Sequence, residues 1–159
     1  MSRLLRVVAL AGAFVAATAC GSSTAPKTPV PDIATTTFAP ILGVDLAAMT
    51  TTTNGVYYRD LSVGTGAPID TGSKVQVRYA GFLVNGSLFD QSLPTAAPLS
   101  FTLGKGSVIK GWDEGLVGMK LGGQRQLVIP PALAYGESGS ANIPSQAILV
   151  FVVTVVGVS

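Results

Sequence analysis

Residues 74–84 read KVQVRYAGFLV, followed by Asn85-Gly86 and then by SLFD at 87–90. Val75, Val77, Tyr79 and Leu83 fall on one side of the first stretch, and Lys74, Gln76 and Arg78 on the other. That is the alternation of a strand with one buried face. Asn-Gly favours the type I′ turn of a tight hairpin, so Ser87 to Asp90 is expected to pair back on the strand.

Working outward, short β-like runs separated by glycine turns continue on both sides. Tyr57 to Val63 is the first run, and Gly64 to Gly72 reads as a loop. Leu99 to Leu103 is a short strand. Val108 to Leu116 has helical spacing of Ile109, Trp112 and Leu116, with Gly118 ending it. Gln124 to Ile129 returns to strand and Pro130-Pro131 stops it. Ile148 to Val156 is a continuous apolar, β-branched run suited to a central strand buried on both faces. The expected fold is α+β: a curled antiparallel sheet, a half-barrel, wrapped over one short α-helix, spanning residues 55–159.

Residues 20–54 are dense in Ser, Thr, Pro and Ala, with threonine runs at 35–37 and 50–53. Such a stretch has few groups to bury and is expected to be a flexible tether. One island interrupts it, Phe38 to Met49, whose apolar spacing allows a short amphipathic helix; it is expected to rest loosely on the following domain, the alternative being a partner-binding site. Further upstream, Arg3 and Arg6 precede an uncharged run from Val7 to Ala19 that stops at Cys20. The run is shorter than the roughly 20 residues of a membrane span and has the form of a signal segment over residues 1–19.

The 159 residues carry a formal charge of +2, but removal of Arg3 and Arg6 leaves eight basic against eight acidic residues, so nucleic acid is not an expected partner. The chain has no histidine, which excludes imidazole catalysis and the Ser-His-Asp constellation. Its single cysteine cannot form an intramolecular disulfide, so the apolar core must hold the fold. Neither a metal nor a cofactor is expected.

Several motifs stand in register: Tyr79-Ala80-Gly81, Leu88-Phe89-Asp90, Val108-Ile109-Lys110-Gly111-Trp112 through Gly118-Met119, Gly122 to Pro130, Ala134-Tyr135-Gly136, and Leu149-Val150-Phe151. In order and spacing they resemble the FKBP-type peptidyl-prolyl cis-trans isomerases, the macrolide-binding immunophilins, over residues 56–159. The resemblance implies a prolyl pocket lined by Tyr79, Phe89, Asp90, Leu99, Val108, Ile109, Trp112, Tyr135, Ile143 and Phe151. Trp112 would form its floor, and Tyr79, Phe89 and Phe151 its walls. The Ile109 N–H and the Tyr135 hydroxyl would bond ligand carbonyls, and Asp90 would stand at the rim. Asp90, Tyr135, Phe89 and Trp112 are the implied catalytic group. Leu99 stands where the family usually has an aromatic, and Thr95 near where a basic residue commonly pairs with the pocket aspartate. The Gly139 to Asn142 loop is one residue short and lacks the usual apolar residue before Ile143.

Ala17-Thr18-Ala19-Cys20 resembles the lipobox of bacterial lipoproteins, with Ala17 where leucine is more usual. That implies an exported protein anchored to the cell envelope through lipid on Cys20. Gly21 and Ser22, with no Asp there, point to the outer membrane. The implied activity is isomerisation of Xaa-Pro bonds during folding of exported proteins, with proline-containing polypeptides and macrolides as ligands, by a monomer. The competing reading is a tethered chaperone or partner-binding module of the same fold with little turnover.

Overall fold

The structure is a computed structural model and describes residues 29–159; the expected signal segment and Cys20 lie outside them. Its elements are β1 (Thr50–Thr51), β2 (Tyr57–Ser62), β3 (Lys74–Leu83), β4 (Leu88–Gln91), β5 (Leu99–Thr102), α1 (Lys110–Gly115), β6 (Gln124–Ile129) and β7 (Leu149–Val158). The strands form one antiparallel sheet in the order β1-β2-β6-β7-β3-β4, with β5 also on β3. Two strands share one edge of β3: Lys74 to Val77 pair with β5, and Ala80 to Phe82 with β4. The chain leaves that edge after Ser92 and returns at Leu99. This is the expected α+β half-barrel over one helix.

α1 has only six residues, too few to be stable alone, so its contacts must hold it. Trp112 and Leu116 are buried against the concave face of the sheet, with Val77, Leu127, Ile129 and Phe151 in the same core. Gly111 and Gly115 let the helix approach closely. A Cβ at Gly111 would collide with the Ile129 side chain, and one at Gly115 would stand 2.8 Å from Leu127 Cδ2. The C-terminal end is fixed by Arg125 on β6, whose buried guanidinium donates to the carbonyls of Gly115 at 2.8 Å and Val117 at 2.9 Å. The same group pairs with Asp60 at 2.7 and 3.0 Å and lies over the Tyr58 ring. One side chain thus satisfies the orphan carbonyls of the helix and ties them to two strands.

Within the expected tether of 20–54, the convex face corrects that expectation for residues 33–51. Residues 33–49 form a strap across the sheet, built from short 3-10 turns at Ile33–Thr35, Pro40–Leu42 and Leu46–Ala48. Ile33 is 4% exposed and packs with Val128, Ile148 and Val150, and from the strap Phe38, Leu42, Val44, Leu46 and Met49 pack against this cluster. Buried Gln126 donates to the Leu42 carbonyl at 2.7 Å, and Arg59 donates to the Gly43 carbonyl at 2.9 Å. Thr50 and Thr51 then join the sheet as β1. Burying the apolar outer faces of β6 and β7, at about 25 cal/mol per Å², offsets the cost of ordering a Ser/Thr/Pro-rich segment. The strap is not a helix because Pro40 starts a turn and Gly43, at φ +57°, ends it after three residues.

The strap also explains β7. Leu149, Val150 and Phe151 are buried on both faces, but beyond the strap the burial alternates, and Val156 is 40% exposed. The Asn85-Gly86 turn differs from type I′, which needs positive φ at both residues. Only Gly86 has it, at φ +88°. The Gly86 N–H bonds the Leu83 carbonyl, the Leu83 N–H bonds the Ser87 carbonyl, and the Asn85 side chain accepts from the Ser87 N–H at 3.0 Å. The loop is therefore Val84-Asn85-Gly86, stabilised by the asparagine side chain instead of by its backbone.

Candidate functional site: an aromatic pocket over the helix

Period-two alternation on β3 sets Val75, Val77 and Tyr79 on the concave face, and the next position on that face is Gly81. A Cβ there would stand 2.7 Å from both Phe151 Cε1 and Phe89 Cζ. Its absence lets the two rings meet edge to face, with centroids 5.5 Å apart at 87°. Trp112, 3% exposed, lies beneath. It meets Tyr79 at 5.1 Å and 78°, and Phe151 at 5.3 Å and 84°. Such edge-to-face contacts add to the stabilisation from burial and fix ring orientation.

The walls are positioned by separate local devices. Asp113 accepts from the Gly104 N–H at 2.7 Å and the Gly106 N–H at 3.0 Å, holding the turn that delivers Val108 and Ile109 to the start of α1. Pro131–Leu133 forms a 3-10 turn, and the Gly136 N–H returns to the Pro131 carbonyl at 2.9 Å, which fixes Tyr135 between them. The Tyr79 hydroxyl donates to Asp90 Oδ2 at 2.8 Å. Burial first, and that hydrogen bond second, push the Tyr79 phenol up to about 12. The Tyr135 hydroxyl and the Ile109 N–H make no hydrogen bond among the described residues, and Tyr135 is 39% exposed.

Eight of the ten residues expected at the site line one depression of about 380 Å³: Tyr79, Phe89, Asp90, Val108, Ile109, Trp112, Tyr135 and Phe151. Ile143 lies in an adjoining depression of about 400 Å³ with Ser140, Ala141 and Asn142, which shares Phe89, Asp90 and Tyr135 with the first. Leu99 lines neither and is 39% exposed. It pairs with Val77 at the end of β5, one same-face step short of Tyr79, where β5 has stopped and β4 has taken the edge. Sequence reading missed Phe101, which is buried 5.9 Å from the Trp112 ring, and the spacing roles of Gly81 and Asp113. The Leu99-Ser100-Phe101 alternation was the available signal for the first.

Among the described residues, the arrangement offers a buried aromatic floor, two donors without a partner and one carboxylate at the rim, and no nucleophile set against a base.

A family model described as FKBP-type peptidyl-prolyl cis-trans isomerase matches residues 66–156. An FK506-binding protein of Neisseria meningitidis is 48% identical over 98 residues, covering 61% of this chain and 90% of that protein. FK506-binding protein 4 of Rhizopus delemar is 50% identical over 99 residues, covering 62% of this chain but 26% of the relative. The chain thus spans only about a quarter of that longer relative's length. Among solved structures, the peptidyl-prolyl cis-trans isomerase of Pseudomonas syringae pv. tomato is similar with a TM-score of 0.63 and 38% identity, covering 70% of this chain and 81% of that one.

Proposed function

Because the chain belongs to the FKBP-type peptidyl-prolyl cis-trans isomerase family, we propose that it accelerates rotation about Xaa-Pro bonds in the aromatic pocket. Rotation must climb roughly 18 to 20 kcal/mol because resonance stiffens the C–N bond. Uncatalysed exchange at proline takes tens to hundreds of seconds. No bond breaks, so a catalyst needs only to bind the twisted amide better than either planar form. Twisting interrupts resonance and makes the carbonyl less dipolar. A site walled by Tyr79, Phe89, Trp112 and Phe151 disfavours the strongly solvated planar state relative to the twisted one.

The observation that carries this reading is the pair of unspent donors above the rings. The Ile109 N–H and the Tyr135 hydroxyl have no partner among the described residues, and both border the pocket. In the proposed complex they hold substrate carbonyls while the proline ring rests on Trp112. Asp90 fixes Tyr79 and orients the substrate; it exchanges no proton. Macrolides are proposed ligands of the same pocket, as the relatives' names suggest.

The test is cis/trans exchange of Xaa-Pro peptides by NMR, with the chain from Gly21 to Ser159 beside its Asp90→Ala and Tyr135→Phe variants. Acceleration by the parent and weaker acceleration by both variants is expected. A folded parent that leaves exchange unchanged would move the protein to the binding-module class.

We propose further that residues 1–19 direct export and that Cys20 carries the lipid anchor, in the outer membrane facing the periplasm. The support is the Arg3/Arg6, apolar-run and cysteine pattern alone. Labelled lipid uptake by the wild type and its loss in Cys20→Ala is the expected result, and equal labelling would overturn it.

A further inference from the structure

The second depression has a character the prolyl pocket lacks. To the Phe89, Asp90 and Tyr135 that it shares with the first, the second adds the polar side chains of Ser140 and Asn142 beside Ala141 and Ile143. Its loop is short and closed on itself: Ser140 and Ile143 exchange both backbone hydrogen bonds, and Ala141 takes φ +27° at the tip. The side chains of Ser140 and Asn142 make no hydrogen bond among the described residues, so their polar atoms remain open to a ligand.

Asp90 is the one charged residue that lines it. From Gln91 to Gly104 the chain carries no charged residue, and from Gly136 to Ser159 the only one is Glu137. Asp90 is exposed and pairs with no cation among the described residues; its one hydrogen bond, to Tyr79, uses Oδ2 and leaves Oδ1 free. Arg78, the cation beside Tyr79, is spent elsewhere: its guanidinium donates to the carbonyls of Leu93 at 2.8 Å and Ala96 at 3.1 Å. Lys110 opens α1 beside Ile109, and neither residue lines the second depression.

From this charge pattern we infer that the second depression is a specificity subsite for a lysine or arginine flanking the substrate proline, its cationic head held by Asp90 with Ser140 and Asn142 as further acceptors. The inference rests on the prolyl-pocket reading. It deepens that reading by naming a substrate class: basic Xaa-Pro or Pro-Xaa segments. Because the pair is exposed, the expected preference is modest, about threefold to fivefold in Kd over a leucine peptide at low salt. It weakens as salt screens it.

The experiment titrates the full chain with matched proline peptides carrying Lys, Arg, Leu or Glu before or after the proline, reading Kd from Trp112 fluorescence and exchange rate by NMR. Tighter binding of Lys and Arg peptides is expected, with the difference lost at high salt, lost in Asp90→Asn and reversed in Asn142→Lys. Equal or tighter binding of the leucine peptides, or a cation preference that survives in Asp90→Asn, overturns the subsite. Binding with cation preference but no faster exchange for any peptide would overturn the isomerase reading and leave the subsite standing.

Discussion

The Tyr79 hydroxyl donates to Asp90 Oδ2 at 2.8 Å, so the wall of the aromatic pocket and the carboxylate at its rim are set by one bond between β3 and β4. Burial first, and this bond second, make the phenol harder to ionise when folded than when unfolded, where tyrosine titrates near about 10. A group whose folded pKa is raised contributes stability that is complete below its unfolded pKa and is lost as pH rises through the folded one. Stability should therefore fall between about pH 10 and the folded value of about 12. Denaturant unfolding across that range should show a smaller decline in Tyr79→Phe. In Asp90→Asn, phenolate absorbance should appear at lower pH than in the parent, because a neutral amide repels the anion less than a carboxylate does.

Gly81 holds apart nothing but space, and filling that space should be costly. A methyl there would press on Phe89 and Phe151 at 2.7 Å. Gly81→Ala should destabilise the fold by about 1–3 kcal/mol. It should also slow catalysed exchange on the order of tenfold, because the displaced rings are the walls. Thermal unfolding and NMR exchange measured on the same samples separate the two effects; unchanged exchange would remove Phe89 and Phe151 from the site.

Truncating the strap should have the opposite profile. Ile33 touches the convex face and no residue of the pocket. Ile33→Ala should cost about 2–4 kcal/mol, and Gln126→Ala about 1–3 kcal/mol by stranding the Leu42 carbonyl. Both should keep exchange rates per folded molecule within about twofold, since a lost wall contact worth 1.4 kcal/mol would already give tenfold. Urea titration gives the first quantity and exchange spectroscopy the second.

Arg125 should tolerate no replacement, lysine included. Its planar head reaches the Asp60 carboxylate and two helix-end carbonyls at once, which a single ammonium cannot do. Arg125→Met should lose about 3 kcal/mol or more of stability, and Arg125→Lys a substantial part of it, both read by denaturant midpoint.

The sheet was legible because its strands obey simple periodicities. β6 runs over the expected Gln124 to Ile129, and the alternation of 74–84 places Tyr79 and the buried valines on one face. The helix was legible through Trp112 and Leu116, though Val108 and Ile109 stay outside it as its entry. The pocket residues became legible only through motifs from several strands and loops in register, because each aromatic alone reads as core. The strap was legible only in part, as the apolar island Phe38 to Met49 expected to rest loosely on the domain; its order and the seat of Ile33 were not. Its composition is that of a tether, and what orders it is the apolar outer surface of Val128, Ile148 and Val150, more than seventy positions away. The continuous apolar run of β7 announced that this outer surface is covered without saying by what. Leu99 was misplaced for a related reason: a family position carries over along the chain, but the exchange of β5 for β4 on one edge is a property of the sheet.

The strap also determines how far the pocket can roam. Had all of residues 21–54 been free, a domain held by lipid on Cys20 could swing on a leash of roughly 110–120 Å, at about 3.3–3.6 Å per extended residue. With Ile33 seated on the sheet, only residues 21–32 separate anchor from body, and their full stretch is about 40 Å. On the proposed anchoring, the enzyme would patrol a thin layer next to the bilayer, meeting chains as they emerge from or approach the membrane and leaving the remainder of the compartment to others.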